Sequence, residues 1–279
     1  MGTDEQRQVR LENWAAMAPG WERAREERAQ VARPVTEWLV RELAPEEGQT
    51  ILELAAGQGD VWYEVAPLLG PSGRLLSSDF SPAMMDIAQR RAFELGLTNV
   101  EHRVLDAEQN ELEDASVDGV ICRWGYMLMP NPATALAETR RVLRTVGRLV
   151  FSVWAGGDRN PWIAVAGRIL AGRGLMPPPE PGEPGMFVLA DEHELRQLVL
   201  DAGFTSVRLE DVPVRNPYPS VDEYVRRSSE MGGMFTRAWS TASEGEQEEI
   251  KDELRDAFAP FAVDGGYELP GVSNCVVAS

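Results

Sequence analysis

Two glycines, Gly57 and Gly59, sit in the run Leu54-Ala55-Ala56-Gly57-Gln58-Gly59-Asp60. Glycine has no Cβ and tolerates positive φ, so such a turn lets a ligand approach the backbone closely. Ile51-Leu52-Glu53-Leu54 leads in with strand character, and Val61 to Leu69 follows with helical character, which puts the free N–H groups of a helix start behind the turn. A second chemical group stands where the next strand, Arg74-Leu75-Leu76-Ser77-Ser78, ends on Asp79. That is about 20 residues past the glycines, where nucleoside-binding α/β folds keep the carboxylate that accepts hydrogen bonds from a ribose diol. The pairing of a glycine turn with a distant acid points to nucleoside recognition.

The kind of nucleoside follows from what is missing. A dinucleotide fingerprint requires a third glycine where this chain has Trp62, and a P-loop requires Gly-Lys-Ser/Thr where the only lysine is the distant Lys251. NAD, FAD, ATP and GTP are all disfavoured. With these residues in view, the stretch resembles motif I of the class I S-adenosylmethionine-dependent methyltransferases. Further motifs follow in order: Asp79-Phe80-Ser81-Pro82-Ala83-Met84 resembles the ribose-binding turn and its helix, and Leu105-Asp106-Ala107-Glu108 the adenine-contacting turn after the third strand. Ala137 to Arg144 with Gly147-Arg148-Leu149 resembles the segment leading into strand five. The likeness covers about residues 48–155 and is strongest to the branch containing ubiquinone/menaquinone-biosynthesis enzymes and other small-molecule methyltransferases. It implies S-adenosylmethionine as cofactor, held by Glu53, Ala55, Gly57, Gln58, Gly59, Asp79, Phe80, Met84, Asp106, Ala107 and Arg123. It also implies a doubly wound, mostly parallel seven-stranded sheet with its last strand antiparallel and helical cap insertions. The family usually has glycine where this chain has Ala55, a change tolerated if φ there is negative; Thr145-Val146-Gly147 replaces a common Pro-Gly-Gly.

The acceptor side is read from Arg123-Trp124-Gly125-Tyr126-Met127-Leu128-Met129-Pro130, which follows the fourth strand. Its aromatic and methionine side chains suit a flat, apolar acceptor, with Trp124, Tyr126 and Met127 as pocket residues, although the same cluster also suits plain core. A protein base is needed only if the acceptor must lose a proton. His193, in the first turn of a helix expected on the ligand edge, is the candidate; His102, near the start of the third strand, reads as structural. The function expected is methyl transfer to a small organic acceptor. A non-catalytic S-adenosylmethionine-binding regulator and a methyltransferase of protein or peptide targets remain as rivals.

Elements that position these residues are legible from periodicity. Strand and helix patterns alternate from Gln49 to Ala155, with strands near 50–54, 74–78, 100–105, 117–122 and 147–154 and helices near 60–69, 82–95 and 133–144. Ser81 and Pro82 form a helix start, and Gly96 a stop. Before this core, Asp4 to Met17 and Gly20 to Leu43 read as two amphipathic helices separated or reset at Pro34. They form an N-terminal segment (1–46) that packs beside the turn or acts as a lid, and 47–279 forms the methyltransferase domain with caps at about 156–190 and 216–264. Met176 to Gly185, with its prolines and glycines, reads as an irregular loop. Strands are expected again over 206–214 and 267–278, with helices over 160–173, 191–202 and 220–261.

Composition narrows the partners. The 279 residues carry 45 Asp and Glu against 27 Lys and Arg, a formal charge of −18. Such a surface repels phosphate backbones, so a nucleic-acid partner is disfavoured and a small-molecule substrate expected. Two histidines and two cysteines, Cys122 and Cys275, offer no metal-ligand spacing. Absence of a long apolar run and the polar residues 1–10 lead to the expectation of a cytoplasmic protein without membrane contact, with thiols buried and reduced. Composition does not address the oligomeric state.

Overall fold

The computed structural model describes residues 3–177 and 183–279, with the side chains of 3–6 left aside. Its centre is one sheet with strand order β3-β2-β1-β4-β5-β8-β6. The strands are β1 (Thr50–Glu53), β2 (Arg74–Asp79), β3 (Val100–Val104), β4 (Val117–Arg123), β5 (Leu143–Trp154), β6 (Val207–Tyr218) and β8 (Gly266–Ala278); a two-residue β7 (Ala262–Val263) pairs with β8 as a hairpin. Pairing is parallel from β3 through β5, while β8 runs antiparallel to both β5 and β6. The expected fold class is therefore present, with the small hairpin added. β1, β4 and the end of β5 are buried almost throughout because helices cover both faces of the sheet.

Helices fill the crossovers: α3 (Trp62–Val65), α4 (Pro82–Glu94), α5 (Pro132–Val142), α6 (Pro161–Gly172) and α7 (Glu192–Asp201). α4 begins as expected, with the Ser81 hydroxyl accepting from Met84 N–H and Pro82 at the first helical position, and Gly96 at φ 67° terminates it. The helix expected over 60–69 is shorter and mixed. Only one α-turn forms before the chain tightens into a 3-10 helix at Ala66–Leu69, where Pro67 withholds a backbone donor.

Two helices precede the sheet, α1 (Thr3–Arg23) and α2 (Arg25–Leu43). Pro34 does not break them: the interruption falls at Ala24, and Pro34 lies inside α2 on its exposed side. Water can satisfy the carbonyl that loses its partner there, while the buried stripe Val35, Trp38, Leu39 and Leu43 keeps the helix on the sheet. Residues expected as one helical stretch over 220–261 divide into α8 (Val221–Glu230), α9 (Gly233–Thr241) and α10 (Glu244–Phe258). The break between α8 and α9 is at Gly232 and Gly233, both at positive φ; α10 starts from a capping box between Ser243 and Glu246. α6, α8, α9 and α10 enclose a second apolar cluster, including Val165, Leu170, Tyr224, Ile250, Leu254 and Phe258, separate from the main core. Part of the expected loop at 176–185, residues 178–182, lies outside the described residues. Among the described residues no helix is long and apolar enough to cross a membrane, and no group of His, Cys, Asp or Glu is placed to hold a metal ion.

Candidate active site

The carboxyl ends of β1, β2, β3 and β4 open onto a cavity of about 480 Å³. This is the edge of a parallel sheet where α/β ligands bind, because the order reverses between β1 and β4 and the crossovers diverge there. Of the residues singled out from sequence, Ala55, Gly57, Gln58, Asp79, Phe80, Met84, Asp106, Ala107, Arg123 and Trp124 line it.

Its floor is the glycine turn. Gly57, at φ 56°, has open space where a Cβ would project, whereas a Cβ on Gly59 would strike the Trp62 indole at 1.5 Å. Gly59 therefore makes room for the fully buried Trp62, not for the cavity, and is not among its lining residues. Ala55 occupies the left-handed region at φ 51°, against the negative φ expected from its side chain. The turn demands that conformation irrespective of the residue, and alanine is only a small cost there. Arg91 braces the turn from behind, donating from Nη1 to Gln58 O (2.7 Å), Gly59 O (2.9 Å) and Asp60 Oδ1 (3.1 Å).

Asp79 bridges the turn and α4. Its Oδ2 accepts from Gly57 N–H and its Oδ1 from Ser81 N–H, each at 2.8 Å. Burial pushes this carboxyl up from its ordinary value, and the two N–H donors pull it back. Each oxygen retains a second lone pair. Asp106 lies further along the edge, accepting from Glu108 N–H and paired with Arg7 of α1.

Asp60 and Arg123 form a buried charge cluster on the β4 side. Arg123 Nη2 donates to Asp60 Oδ2 (3.3 Å), Nη1 to Thr36 Oγ1 (2.6 Å), and the guanidinium lies over the Trp124 ring at 5.3 Å. Burial pushes the Asp60 carboxyl up, but Arg123, Arg28 and Arg91 together draw it below its ordinary value. Trp124 is also at positive φ (56°), held by its indole N–H on Ser273 Oγ (2.8 Å) and by stacking on Trp154 at 4.3 Å. Packing over-determines this conformation, so one strained aromatic is fixed as a cavity wall.

Besides Gly59, four expected residues lie elsewhere. Glu53 is 1% exposed beneath the turn, its Oε2 without a partner among the described residues, and burial raises its carboxyl well above the usual range. Tyr126 and Met127 are core: the short 3-10 turn at Tyr126–Leu128 swings them inward, where Tyr126 hydroxyl meets Thr139 Oγ1 (2.7 Å) and its ring packs on Phe151. Leu128 and Met129 take the cavity-facing positions instead. His193 is exposed at the start of α7, its backbone N–H on Asp191 Oδ1, and does not line the cavity.

The N-terminal helices were expected to pack beside the turn or act as a lid, but the side chains that line the cavity from them and form its roof were not named. Arg7, Arg10, Trp14 and Trp21 of α1 and Arg28 of α2 line the cavity. The positions 7, 14, 21 and 28 recur at heptad spacing, a signal that was present but reads equally as a packing stripe. Gln58 Nε2 donates to Ala18 O (3.0 Å) and so ties the roof to the turn. Arg28 stacks on the Trp21 ring at 3.5 Å, and its Nη1 is buried with no partner among the described residues. Burial lowers its guanidinium to about 10.

Comparison with known proteins bears on this arrangement. Residues 45–158 match the methyltransferase domain family model. The chain is 35% identical over 103 residues to demethylmenaquinone methyltransferase of Lactococcus lactis, covering 37% of this chain and 41% of that protein. It is 29% identical over 119 residues to the ubiquinone/menaquinone biosynthesis C-methyltransferase of Coxiella burnetii, covering 42% and 48%. The matches thus span less than half the length of either relative. Among solved structures, the YcgJ protein of Bacillus subtilis aligns over 87% of this chain and 96% of its own, with a TM-score of 0.58 at 16% identity, a likeness of fold.

Proposed function

We propose that this protein, whose residues 45–158 match the methyltransferase domain family model, transfers a methyl group from S-adenosylmethionine to a small organic acceptor. The observation that carries the reading is the meeting, in one cavity, of the Gly57 turn, the Asp79 carboxylate and the unpaired buried guanidinium of Arg28. These residues fit the cofactor. Asp79 has acceptor lone pairs for a ribose diol, Asp106 and Ala107 border the position of the base, and Arg28 suits the amino-acid carboxylate by a charge-assisted hydrogen bond.

When bound, the cofactor supplies a methyl carbon activated by an adjacent sulfonium. The chain's contribution is alignment and exclusion of water. Trp124, Leu128 and Met129 wall the β4 side, and α1 closes the cavity from above. The Asp60–Arg123 pair, anchored by Thr36 and Arg91, keeps that wall in place without offering a free base, because Asp60 stays ionised and doubly paired. His193 does not line the cavity, so the proposal assigns no protein base. An acceptor that is nucleophilic without assistance, or that ionises before binding, fits this site.

Incubating the protein with S-adenosylmethionine and a cell extract should release S-adenosylhomocysteine above the rate without extract. Binding of the cofactor with no such turnover would replace this reading by the non-catalytic one.

A further inference from the structure

Charge pairing around the cavity leaves two guanidiniums over, one more than the cofactor's single carboxylate can meet. Four guanidiniums line it, Arg7, Arg10, Arg28 and Arg123, as do the four carboxylates of Asp60, Asp79, Asp106 and Glu108. Arg123 is matched to Asp60 and Arg7 to Asp106. Asp79 is committed to backbone N–H groups, and Glu108 Oε1 accepts from Asn131 N–H. Arg10 and Arg28 have no acid partner among the described residues, and the Nη1 atom of each is buried without a hydrogen bond. A shortage of acids does not explain this in a chain where Asp and Glu outnumber Lys and Arg by 45 to 27. A desolvated guanidinium is costly unless an anion meets it.

The cofactor brings one carboxylate, and Arg28 is the guanidinium on the Asp60–Arg123 side, where Asp60 and Arg123 are its charged neighbours. Arg10 is on α1, one turn beyond Arg7 and one turn before Trp14. The cavity it lines also presents the flat rings of Trp14, Trp21, Phe80 and Trp124. We propose that the acceptor is a flat aromatic molecule bearing a single carboxylate, and that Arg10 receives that carboxylate. This rests on the cofactor assignment above. A single charge is the better match than a phosphate or diphosphate: lining charges balance, and a cofactor with sulfonium, ammonium and carboxylate adds one net positive charge, which one carboxylate neutralises. Arg10 is then a specificity-determining residue, selecting the acid over its neutral analogue.

Calorimetry with three probes tests this: 2-naphthoate, its neutral isostere 2-naphthamide, and 2-naphthyl phosphate, each titrated into protein saturated with sinefungin, whose amine keeps a positive charge where the cofactor has its sulfonium. Naphthoate should bind about tenfold or more tighter than the amide and tighter than the phosphate. Arg10→Gln should abolish the preference for acid over amide while leaving S-adenosylhomocysteine affinity within about threefold, and Arg10→Lys should retain part of it. The unfolding midpoint of each variant reports on folding. Equal binding of acid and amide, no binding of naphthoate, or a preference for the phosphate overturns the proposal. Loss of S-adenosylhomocysteine affinity in Arg10→Gln also overturns it, by giving that guanidinium to the cofactor. The titration of S-adenosylhomocysteine into the unaltered protein reads the cofactor assignment by itself.

Discussion

Asp79 serves the site twice, and its substitution separates the two roles. Its carboxylate fixes Gly57 and Ser81 through their N–H groups and, in the proposed function, accepts from both ribose hydroxyls. Asp79→Ala should weaken S-adenosylhomocysteine binding on the order of 10- to 1000-fold by calorimetry, since charge-assisted bonds are lost and water replaces them in part. Unchanged affinity in a folded variant would leave only the turn-fixing role. Ala55 makes a different case, because its φ of 51° is a cost the side chain imposes on the fold. Ala55→Gly should raise the unfolding free energy by about 0.5–1 kcal/mol, the left-handed strain relieved minus the added freedom of the unfolded chain, as read from the urea midpoint. Glu53 sets a pH dependence. Its folded value lies well above the ordinary 4.5, so below that pH it is protonated in both states and costs nothing. As pH rises past 4.5, the unfolded chain loses the proton first, and stability should fall until the raised folded value is passed. Glu53→Gln should remove that slope in urea titrations between about pH 4 and 8. Asp60 has the opposite sign: its contribution is present above the ordinary 3.8 and is lost as pH falls through the lower folded value. At this scale, Gly57 and Asp79 were legible because turn conformation and sheet-edge position follow from local sequence. Gly59 was not, because what fills its missing Cβ is a side chain three residues on, and neither was Arg28, whose role depends on where a helix lies.

The two N-terminal helices do different things although their sequences look alike. α2 buries Val35, Trp38, Leu39 and Leu43 against the sheet, whereas the buried apolar contacts of α1 are confined to Ala18, Trp14 and Trp21 beside Met84 and Ile87, its other ties being the Gln58 bond, the Arg7–Asp106 pair and backbone contact with α8. Fewer buried apolar contacts mean a lower local opening free energy. Hydrogen exchange with and without S-adenosylhomocysteine should therefore show added protection along α1 and the 183–190 segment and none along α2. Equal protection of α1 in both states would remove its lid role and leave packing. Elements with long apolar runs or strong caps, such as β1, β4 and α4, were readable from periodicity. The position of the α1–α2 break was not, because Pro34 marks a backbone defect that an exposed helix face tolerates once its opposite face is held in the core. Likewise Tyr126 and Met127 point into the core because a 3-10 turn, three residues to the turn, rotates the chain differently from the strand it follows.

Across the whole molecule, two apolar clusters touch at Trp162, which packs against both. The main core holds the sheet and α2, while α6, α8, α9 and α10 pack around Tyr224, Leu254 and Phe258. The cap reaches the roof of the cavity through close backbone packing between α1 and the end of α8: Trp21 Nε1 donates to Met231 O (3.1 Å), and Gly232 abuts Met17. Arg227 pairs with Glu27 of α2 at 3.0 Å just beside it. Gly20 is the point of nearest approach, since a Cβ there would stand 1.7 Å from the Glu230 carbonyl oxygen. That atom is backbone at the end of a helix, so a methyl group cannot be accommodated by rotating a side chain; one helix must move. Gly20 does not line the cavity, but Trp14, Trp21 and Arg10 on the same helix do. Gly20→Ala should therefore lower stability by about 1–3 kcal/mol through overpacking and also weaken S-adenosylhomocysteine binding, about 5- to 50-fold, by displacing the roof that carries those side chains. Alanine is the better helix former, so intrinsic propensity alone works in the opposite direction, toward stabilisation by up to about 1 kcal/mol. Denaturant unfolding and calorimetry on the same variant separate these cases: a more stable protein with unaltered affinity would mean that the cap and the roof are not coupled through this contact.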